Sequence, residues 1–198
     1  MATNDALSPE LVRIIKIFGA VSIGLVLLLS FFNDRRADNT GSMDEFFVTD
    51  ASRIYFKNLR QSNYDIERRL DAKMDLFRYE KRVTDTTQNT LNAALILNRS
   101  KDAAYVYLEP QGLLKQENPL EVRWEKPNGN KDENSFYQGD RFSHFQFVEE
   151  IFPLLDADEE VKFEAKVGDK WFPILTSVQE RDALRITLKD YYRLIGKE

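Results

Sequence analysis

His144 is the only histidine in the chain and the only side chain whose ordinary pKa lies near neutral pH. It stands between Phe142-Ser143 and Phe145, close to the start of a predicted helix, and the chain contains no cysteine. Acid–base catalysis requires a second group that orients the histidine, and a transition-metal site requires several nitrogen or sulfur ligands. We therefore expect His144 to pack or to cap a helix, with catalysis as the weaker alternative, and we expect no transition-metal site.

Carboxylates are concentrated in Asp156-Ala157-Asp158-Glu159-Glu160, and carboxylates are the ligands that hard cations such as Ca²⁺ prefer. A helix–loop–helix calcium site also needs regularly spaced ligands, a glycine at the turn and a glutamate that closes a loop of twelve residues. The run has neither the glycine nor the spacing. A solvated loop between two elements is therefore the favoured interpretation, and we predict no metal ligand.

Oxygen nucleophiles are abundant but form no recognisable catalytic motif. The sequence contains neither a GxSxG elbow nor an SxxK motif. Catalytic carboxylate pairs cannot be distinguished among 33 acidic residues, and Asn98-Arg99-Ser100 matches a glycosylation pattern that often arises by chance. Gly168-Asp169-Lys170 lacks the spacing of a phosphate-binding loop and indicates a hairpin turn. The sequence thus predicts no catalytic residue and no cofactor.

Two aromatic groups are candidates for recognition rather than catalysis. Trp124 and Trp171 lie on predicted strands and would stack on carbohydrate if they formed one platform. The tyrosines of Asp190-Tyr191-Tyr192-Arg193-Leu194 would form a recognition surface if they were exposed. Large aromatic side chains are more often buried against a sheet, so core packing is favoured for both groups.

An apolar segment precedes all of these candidates. Residues 17–32 carry no charge, and residues 11–32 would form a helix about 33 Å long, enough to cross a hydrocarbon core of roughly 30 Å. Arg13 and Lys16 would lie near the membrane boundary, where their stems contact lipid and their charges reach headgroups. A cleaved signal peptide and a buried core helix are the alternatives. The segment has no small-x-small cleavage site and is apolar on every face, so we predict one uncleaved span.

The orientation of this span is less strongly determined. Arg13 and Lys16 lie on its N-terminal side, and Arg35 and Arg36 lie on its C-terminal side. The positive-inside rule is therefore almost balanced. A short N-terminal tail with charges directly before the apolar core is typical of a signal-anchor, so we predict a C-terminal domain outside the cytoplasm. A domain that faces the cytoplasm is the alternative.

The charge distribution limits the classes of partner. The net charge of −5 argues against non-specific nucleic-acid binding. Residues 53–82 nevertheless contain nine basic and five acidic residues, a net charge of +4. Such a segment would suit anionic lipid headgroups or an acidic polymer, although an ordinary solvated surface is the favoured interpretation.

Short alternating segments predict a sheet built from hairpins. Residues 64–82 fit either one helical stripe or two strands joined at 71–73, and we favour the strands. Asn128-Gly129 is the strongest turn signal in the chain. The other hairpins are predicted to pair residues 93–97 with 103–108, 120–125 with 135–137, and 161–167 with 170–175.

Three segments carry helix or strand signals of other kinds. Residues 53–60 are rich in aromatic and branched side chains, which predicts a strand, with a helix capped by Asp50 as the alternative. Residues 142–155 predict a helix. A final helix is predicted from the Ser177 and Glu180 capping box to Gly196, with one apolar face formed by Leu184, Leu188, Tyr191 and Ile195.

Together these patterns predict an α+β protein: a tail at 1–10, a single transmembrane helix at 11–32, a juxtamembrane linker at 33–45, and one globular domain at 46–198. The domain should hold a mostly antiparallel, hairpin-built sheet with two helices. We expect a membrane-anchored, non-enzymatic binding or assembly module whose partner is a protein or polymer of the cell envelope. The alternatives are a tethered extracytoplasmic hydrolase and a cytoplasm-facing assembly subunit of a membrane complex.

Overall fold

The computed structural model describes residues 8–31, 45–157 and 160–197 and divides the chain into two compact units, Met1–Ser42 and Met43–Glu198. In the first unit, helix α1 spans Pro9–Phe31. The side chain of Ser8 caps this helix, because its Oγ accepts a hydrogen bond from the backbone N–H of Leu11 at 3.2 Å. The helix therefore begins inside the segment expected to form a tail. The predicted linker at 33–45 lies outside the described residues except for Glu45.

Helix α1 contains one candidate membrane span, Pro9–Leu29, which is long and apolar enough to cross a bilayer. A signal sequence near the N-terminus would have the same length and composition. A helix that is apolar on every face is stable in lipid but not in water, which agrees with a candidate membrane span.

The described residues of the second unit form two antiparallel sheets of four strands each. The first sheet follows chain order, whereas the second has the order β6-β5-β7-β8. The strands are β1 (Tyr64–Arg69), β2 (Met74–Tyr79), β3 (Leu91–Asn98), β4 (Ala103–Pro110), β5 (Leu120–Glu125), β6 (Lys131–Phe136), β7 (Lys162–Val167) and β8 (Lys170–Ile174). The α+β class and the hairpins are confirmed, including the strand pair at 64–82, and β6 begins four residues before the predicted segment.

The strand predicted at 53–60 is wrong. These residues lie in helix α2 (Asp50–Tyr55) and in a π-helical turn, Phe56–Arg60, that continues it. Thr49 rather than Asp50 is the cap, since its side chain accepts from the backbone N–H of Ser52. The helix buries Phe56 against Phe77 at a ring distance of 5.1 Å. This tertiary contact outweighs the strand propensity of the segment, which is a weak and context-dependent preference.

Two longer helices complete the domain: α3 (Arg141–Asp156) and α4 (Val178–Leu194). Both were predicted, so the described part of the domain holds three α-helices instead of two. The predicted capping box of α4 is present, with reciprocal bonds between Ser177 and Glu180. Helix α4 packs on the first sheet, and α3 lies against β4 and β6. Their buried side chains join those of both sheets in one hydrophobic core.

Candidate binding groove on the first sheet

The two sides of the first sheet differ in what covers them. Side chains alternate along each strand, and the register places Phe77 beside Leu95 and Val106 on one side. Helix α4 and the helical segment 50–60 cover this helix-covered side, and all three side chains are buried. The same register places Leu76 beside Ile96, and Ala94 beside Tyr107, on the opposite, open side. On the open side, helix α3 packs at the β4 edge, where His144 contacts Tyr107, and apolar side chains of β2 and β3 are left without a covering helix.

Loops at one end of this open side turn it into a groove of about 440 Å³. Its floor consists of Leu76, Ala94, Ile96 and Tyr107; Ala94 is buried and the other three are half-buried. Polar groups form the walls, and they belong to Thr86, Glu109, Gln111, Lys115 and Gln138. A concave site with an apolar floor and a few polar groups is the usual form of a ligand-binding pocket.

A network of ion pairs fixes one border of the groove. The Arg78 guanidinium donates to both carboxylate oxygens of Glu109 at 2.7–2.9 Å and to Glu67 at 2.8 Å. These hydrogen bonds, first those with Glu109, raise the pKa of Arg78. Because Glu109 is engaged through both oxygens, its carboxylate is held in position and is poorly suited to act as a general base.

His144 fixes the lining of the groove at the edge of β4. Its Nδ1 accepts a hydrogen bond from the backbone N–H of Leu108 at 3.2 Å, so Nε2 carries the proton and donates to the carbonyl oxygen of Gln138 at 3.0 Å. Leu108 and Gln138 both line the groove. Burial lowers the pKa of the imidazole, which packs between Tyr107 and Phe136 at ring distances of 4.7 and 4.9 Å. This environment agrees with the predicted packing role. In addition, the imidazole satisfies the backbone N–H of Leu108 on β4.

The wall of the groove formed by Gln111 and Gly112 requires glycine at position 112. Gly112 has φ +62°, and its N–H donates to the carbonyl oxygen of Thr86 at 3.2 Å. A Cβ at this position would lie 2.4 Å from Asn89 Oδ1 and 2.8 Å from the Gln88 carbonyl oxygen, so no larger residue fits without displacing the loop. Beside it, the buried Oε1 of Gln111 has no hydrogen-bond partner among the described residues.

The aromatic candidates from the sequence do not form recognition surfaces. Trp124 pairs with Phe163 and is buried, whereas Trp171 pairs with Lys166 on the opposite side of the second sheet. Two side chains on opposite sides of one sheet cannot form a common platform. Tyr191 and Tyr192 are buried, as the preferred core-packing interpretation predicted. Asp190 accepts hydrogen bonds from Tyr64 and Arg60, which holds the π-helical turn to α4.

The other polar candidates also have structural surroundings. Asp158 and Glu159 of the acidic run lie outside the described residues, while Asp156 is 3.9 Å from the ammonium group of Lys189. No group of three histidine or acidic side chains in the described ranges is arranged to hold a metal ion. Asn98 is buried, and its Oδ1 accepts from the backbone of Ser100 and Lys101, so it shapes the β3–β4 turn.

The exposed side of the second sheet carries mainly charged side chains, unlike the apolar floor of the groove. Opposite charges alternate there across the strands and pair between neighbours. Arg123 binds Glu164 at 2.7 Å and Lys166 binds Glu121 at 2.7 Å. Its charged side chains thus pair with one another, and the Trp171 ring on this side lies beneath the Arg123 guanidinium at 4.3 Å. This side is therefore the expected form of a solvated sheet surface.

None of the groove residues was identified from the sequence, but one signal was present. Residues 93–97 read Ala-Ala-Leu-Ile-Leu, whereas a strand with one solvated side alternates apolar and polar residues. Consecutive apolar residues thus indicated that both sides of β3 avoid water. No family model, curated protein or solved structure matches this chain, so its function has to be argued from this geometry.

Proposed function

We propose that this chain is a membrane-anchored, non-enzymatic binding module whose groove takes a segment of another cell-envelope protein. The observation that carries the proposal is the apolar floor of Leu76, Ala94, Ile96 and Tyr107, left open on a sheet whose other side buries Phe77, Leu95 and Val106 beneath helices. Exposed apolar concavities on a folded domain mark binding sites, because leaving them in water costs free energy. Helix α1 would hold the module at the membrane.

The chemistry of the floor favours a protein segment over a carbohydrate. Three of the four floor side chains are aliphatic, and Tyr107 is the single aromatic group among them. Aliphatic surfaces are desolvated best by aliphatic or aromatic side chains of a partner. Polar side chains border the floor: the Gln138 amide donates to the carbonyl oxygens of Lys115 and Glu117, which fixes this wall, and Thr86 and Lys115 supply further polar groups. Burial raises the pKa of Tyr107, so its hydroxyl remains a neutral hydrogen-bonding group.

The polar groups near the groove support binding more than catalysis. Both ring nitrogens of His144 and both oxygens of Glu109 are already engaged in hydrogen bonds. A general base has to reach the proton that it removes, whereas both His144 nitrogens are occupied and the Glu109 carboxylate is held against the Arg78 guanidinium. We therefore favour a binding role over the hydrolase alternative. We further propose that the domain lies outside the cytoplasm, on the basis of the signal-anchor character of the N-terminus.

Site-specific crosslinking in native membranes tests the proposal. A photo-crosslinking amino acid placed at Leu76 lies on the groove floor, and the same probe at Glu133 lies on the charged side of the second sheet. We expect the Leu76 probe to capture a discrete protein that the Glu133 probe does not. Identical products from both positions, or no product at Leu76 where a known membrane complex is captured, would count against a protein ligand.

A further inference from the structure

A second surface, on the helix-covered side of the first sheet, combines exposed aliphatic and basic side chains. Ile54 and Leu59 on the helical segment 50–60 are 58% and 60% exposed, and Ile66 on β1 is 40% exposed. The helical segment adjoins β1, since the rings of Phe56 and Tyr64 are 5.5 Å apart, and exposed aliphatic side chains on adjoining elements are typical of an interaction surface. We call Ile54, Leu59 and Ile66, together with Lys57 and Arg68, the basic-apolar surface.

The alternation of β1 separates its charges between the two sides of the sheet. Tyr64, Ile66 and Arg68 point to the helix-covered side, because Ile66 pairs with Phe77 in the register and Phe56 of the helical segment packs on Phe77. Asp65 and Glu67 point to the open side, where they bind Arg82 and Arg78. The acidic residues of this strand are therefore absent from the side that carries Ile66 and Arg68.

The helical segment contributes exposed residues to the same side. Phe56 points to the sheet and is buried, so Ile54 and Leu59, which are exposed, lie on the solvent-facing part of the helical surface. Lys57 is also exposed, and neither Lys57 nor Arg68 forms an ion pair with a described residue. Other arginines between residues 53 and 82 do form such pairs: Arg53, Arg60, Arg69, Arg78 and Arg82. Lys57 and Arg68 are therefore available to a partner on this side, where the register places Asp75 opposite Arg68.

We infer that the basic-apolar surface docks on the anionic phospholipid headgroups of the membrane that holds α1. Aliphatic side chains flanked by lysine and arginine are the composition that binds the headgroup region, where the apolar groups enter the acyl boundary and the cations meet lipid phosphates. Segment 50–60 follows the end of α1 at Phe31 by only a short stretch of chain. A short tether keeps the surface at high effective concentration near the bilayer.

This docking would also orient the module. The basic-apolar surface and the groove lie on opposite sides of the first sheet. When one side meets the headgroups, the groove faces away from the bilayer and stays accessible. The inference stands on residues other than those of the groove, so it can hold or fail independently of the proposed protein ligand.

Spin labelling of the full chain in vesicles tests this inference. The chain has no cysteine, so each single-cysteine variant carries one nitroxide without background. Leu59→Cys probes the surface, and Val178→Cys is the matched control, since Val178 is also an exposed aliphatic residue but lies at the opposite end of α4 from Asp190, which binds Arg60. Accessibility of each nitroxide to oxygen and to a water-soluble nickel chelate is measured in phosphatidylglycerol-containing vesicles.

We expect the Leu59 label to gain oxygen accessibility and lose nickel accessibility relative to the Val178 label. The variant Lys57→Gln/Arg68→Gln should weaken this docking by about tenfold or more, as removal of two charges near an anionic surface predicts. The control variant Lys162→Gln/Lys170→Gln removes two exposed charges from the second sheet and should leave docking unchanged.

Four results would overturn the inference. The Leu59 label could report the same accessibilities as the Val178 label in anionic vesicles. It could be shielded from both oxygen and nickel, which indicates contact with protein, including a second copy of the chain. It could be shielded by soluble polyglutamate and not by anionic vesicles, which assigns the surface to an acidic polymer. Undiminished docking in vesicles of pure phosphatidylcholine would remove its electrostatic basis.

Discussion

At the scale of single residues, His144 shows how a lone titratable group can be structural. Its two hydrogen bonds need the neutral ring with the proton on Nε2, since Nδ1 must accept from Leu108. A proton added to Nδ1 would face another donor in a buried site, and the nearest carboxylate that offsets this is Asp140. Burial is the larger effect and lowers the pKa of His144.

Stability should consequently depend on pH through this residue. The unfolded chain protonates His144 near pH 6.5, whereas the folded chain resists protonation to a lower pH. The free energy of unfolding is then unaffected above about pH 6.5 and falls as pH drops below it, by up to roughly 1.4 kcal/mol per pH unit until the folded pKa is reached. Thermal melting of the full chain in detergent, followed through the fluorescence of buried Trp124, measures this loss.

The variant His144→Asn is the control for that measurement. Its amide oxygen replaces Nδ1 as an acceptor but does not titrate, so the variant should lack the histidine contribution between pH 7.5 and 5.5. The carboxylates titrate equally in both proteins, and the difference between the two curves isolates His144. Parallel curves over this interval would contradict a lowered pKa, because they would mean that His144 binds protons equally in the folded and unfolded states.

At the scale of elements, patterns with a local cause were predictable and those with a tertiary cause were not. The Ser177–Glu180 capping box and the Asn128-Gly129 turn depend on residues a few positions apart, and both elements were predicted correctly. Segment 53–60 was predicted wrongly because its helix depends on the burial of Phe56 against Phe77, a contact between distant residues. The groove depends on the register of three strands and on loops from separate parts of the chain, which a single sequence does not specify.

The α4 cap gives a prediction at this scale. Ser177 Oγ accepts from the Glu180 backbone N–H at 3.2 Å and donates to its carboxylate at 2.9 Å. Burial by itself would raise the pKa of Glu180, but hydrogen bonds such as those from Ser177 lower it overall. Ser177→Ala should cost about 1 kcal/mol of unfolding free energy, whereas Ser177→Thr keeps the hydroxyl and should cost much less. Equal melting temperatures for the two variants would contradict a stabilising cap.

At the scale of the whole molecule, a candidate membrane span precedes a domain whose first sheet has two chemically distinct sides. The span was predictable because length and apolar composition alone define it. The side of the membrane was not, because basic residues flank both ends of the span. Only the asymmetry between a short charged tail and the long C-terminal portion favours an extracytoplasmic domain.

A reporter that is active only outside the cytoplasm, fused after Glu198, tests this orientation. We expect activity for the unaltered chain, since Arg13 and Lys16 would remain on the cytoplasmic side. Replacement of both by glutamine should reduce reporter activity, and the matched change at Arg35 and Arg36 should preserve it. An inactive reporter on the unaltered chain, at normal expression, would instead place the domain in the cytoplasm.

The central claim is that the groove binds a protein segment, and the most direct measurement is the yield of the Leu76 crosslink when the floor is altered. Ile96→Glu places a charge on the apolar floor, while Ile96→Val keeps the floor apolar and serves as the control. If the groove is the binding site, Ile96→Glu should reduce the crosslinked product by about tenfold or more, as expected when a buried apolar contact must accommodate a charge. Ile96→Val should change it little, with melting temperatures confirming that both variants fold. An undiminished crosslink in folded Ile96→Glu would contradict the account.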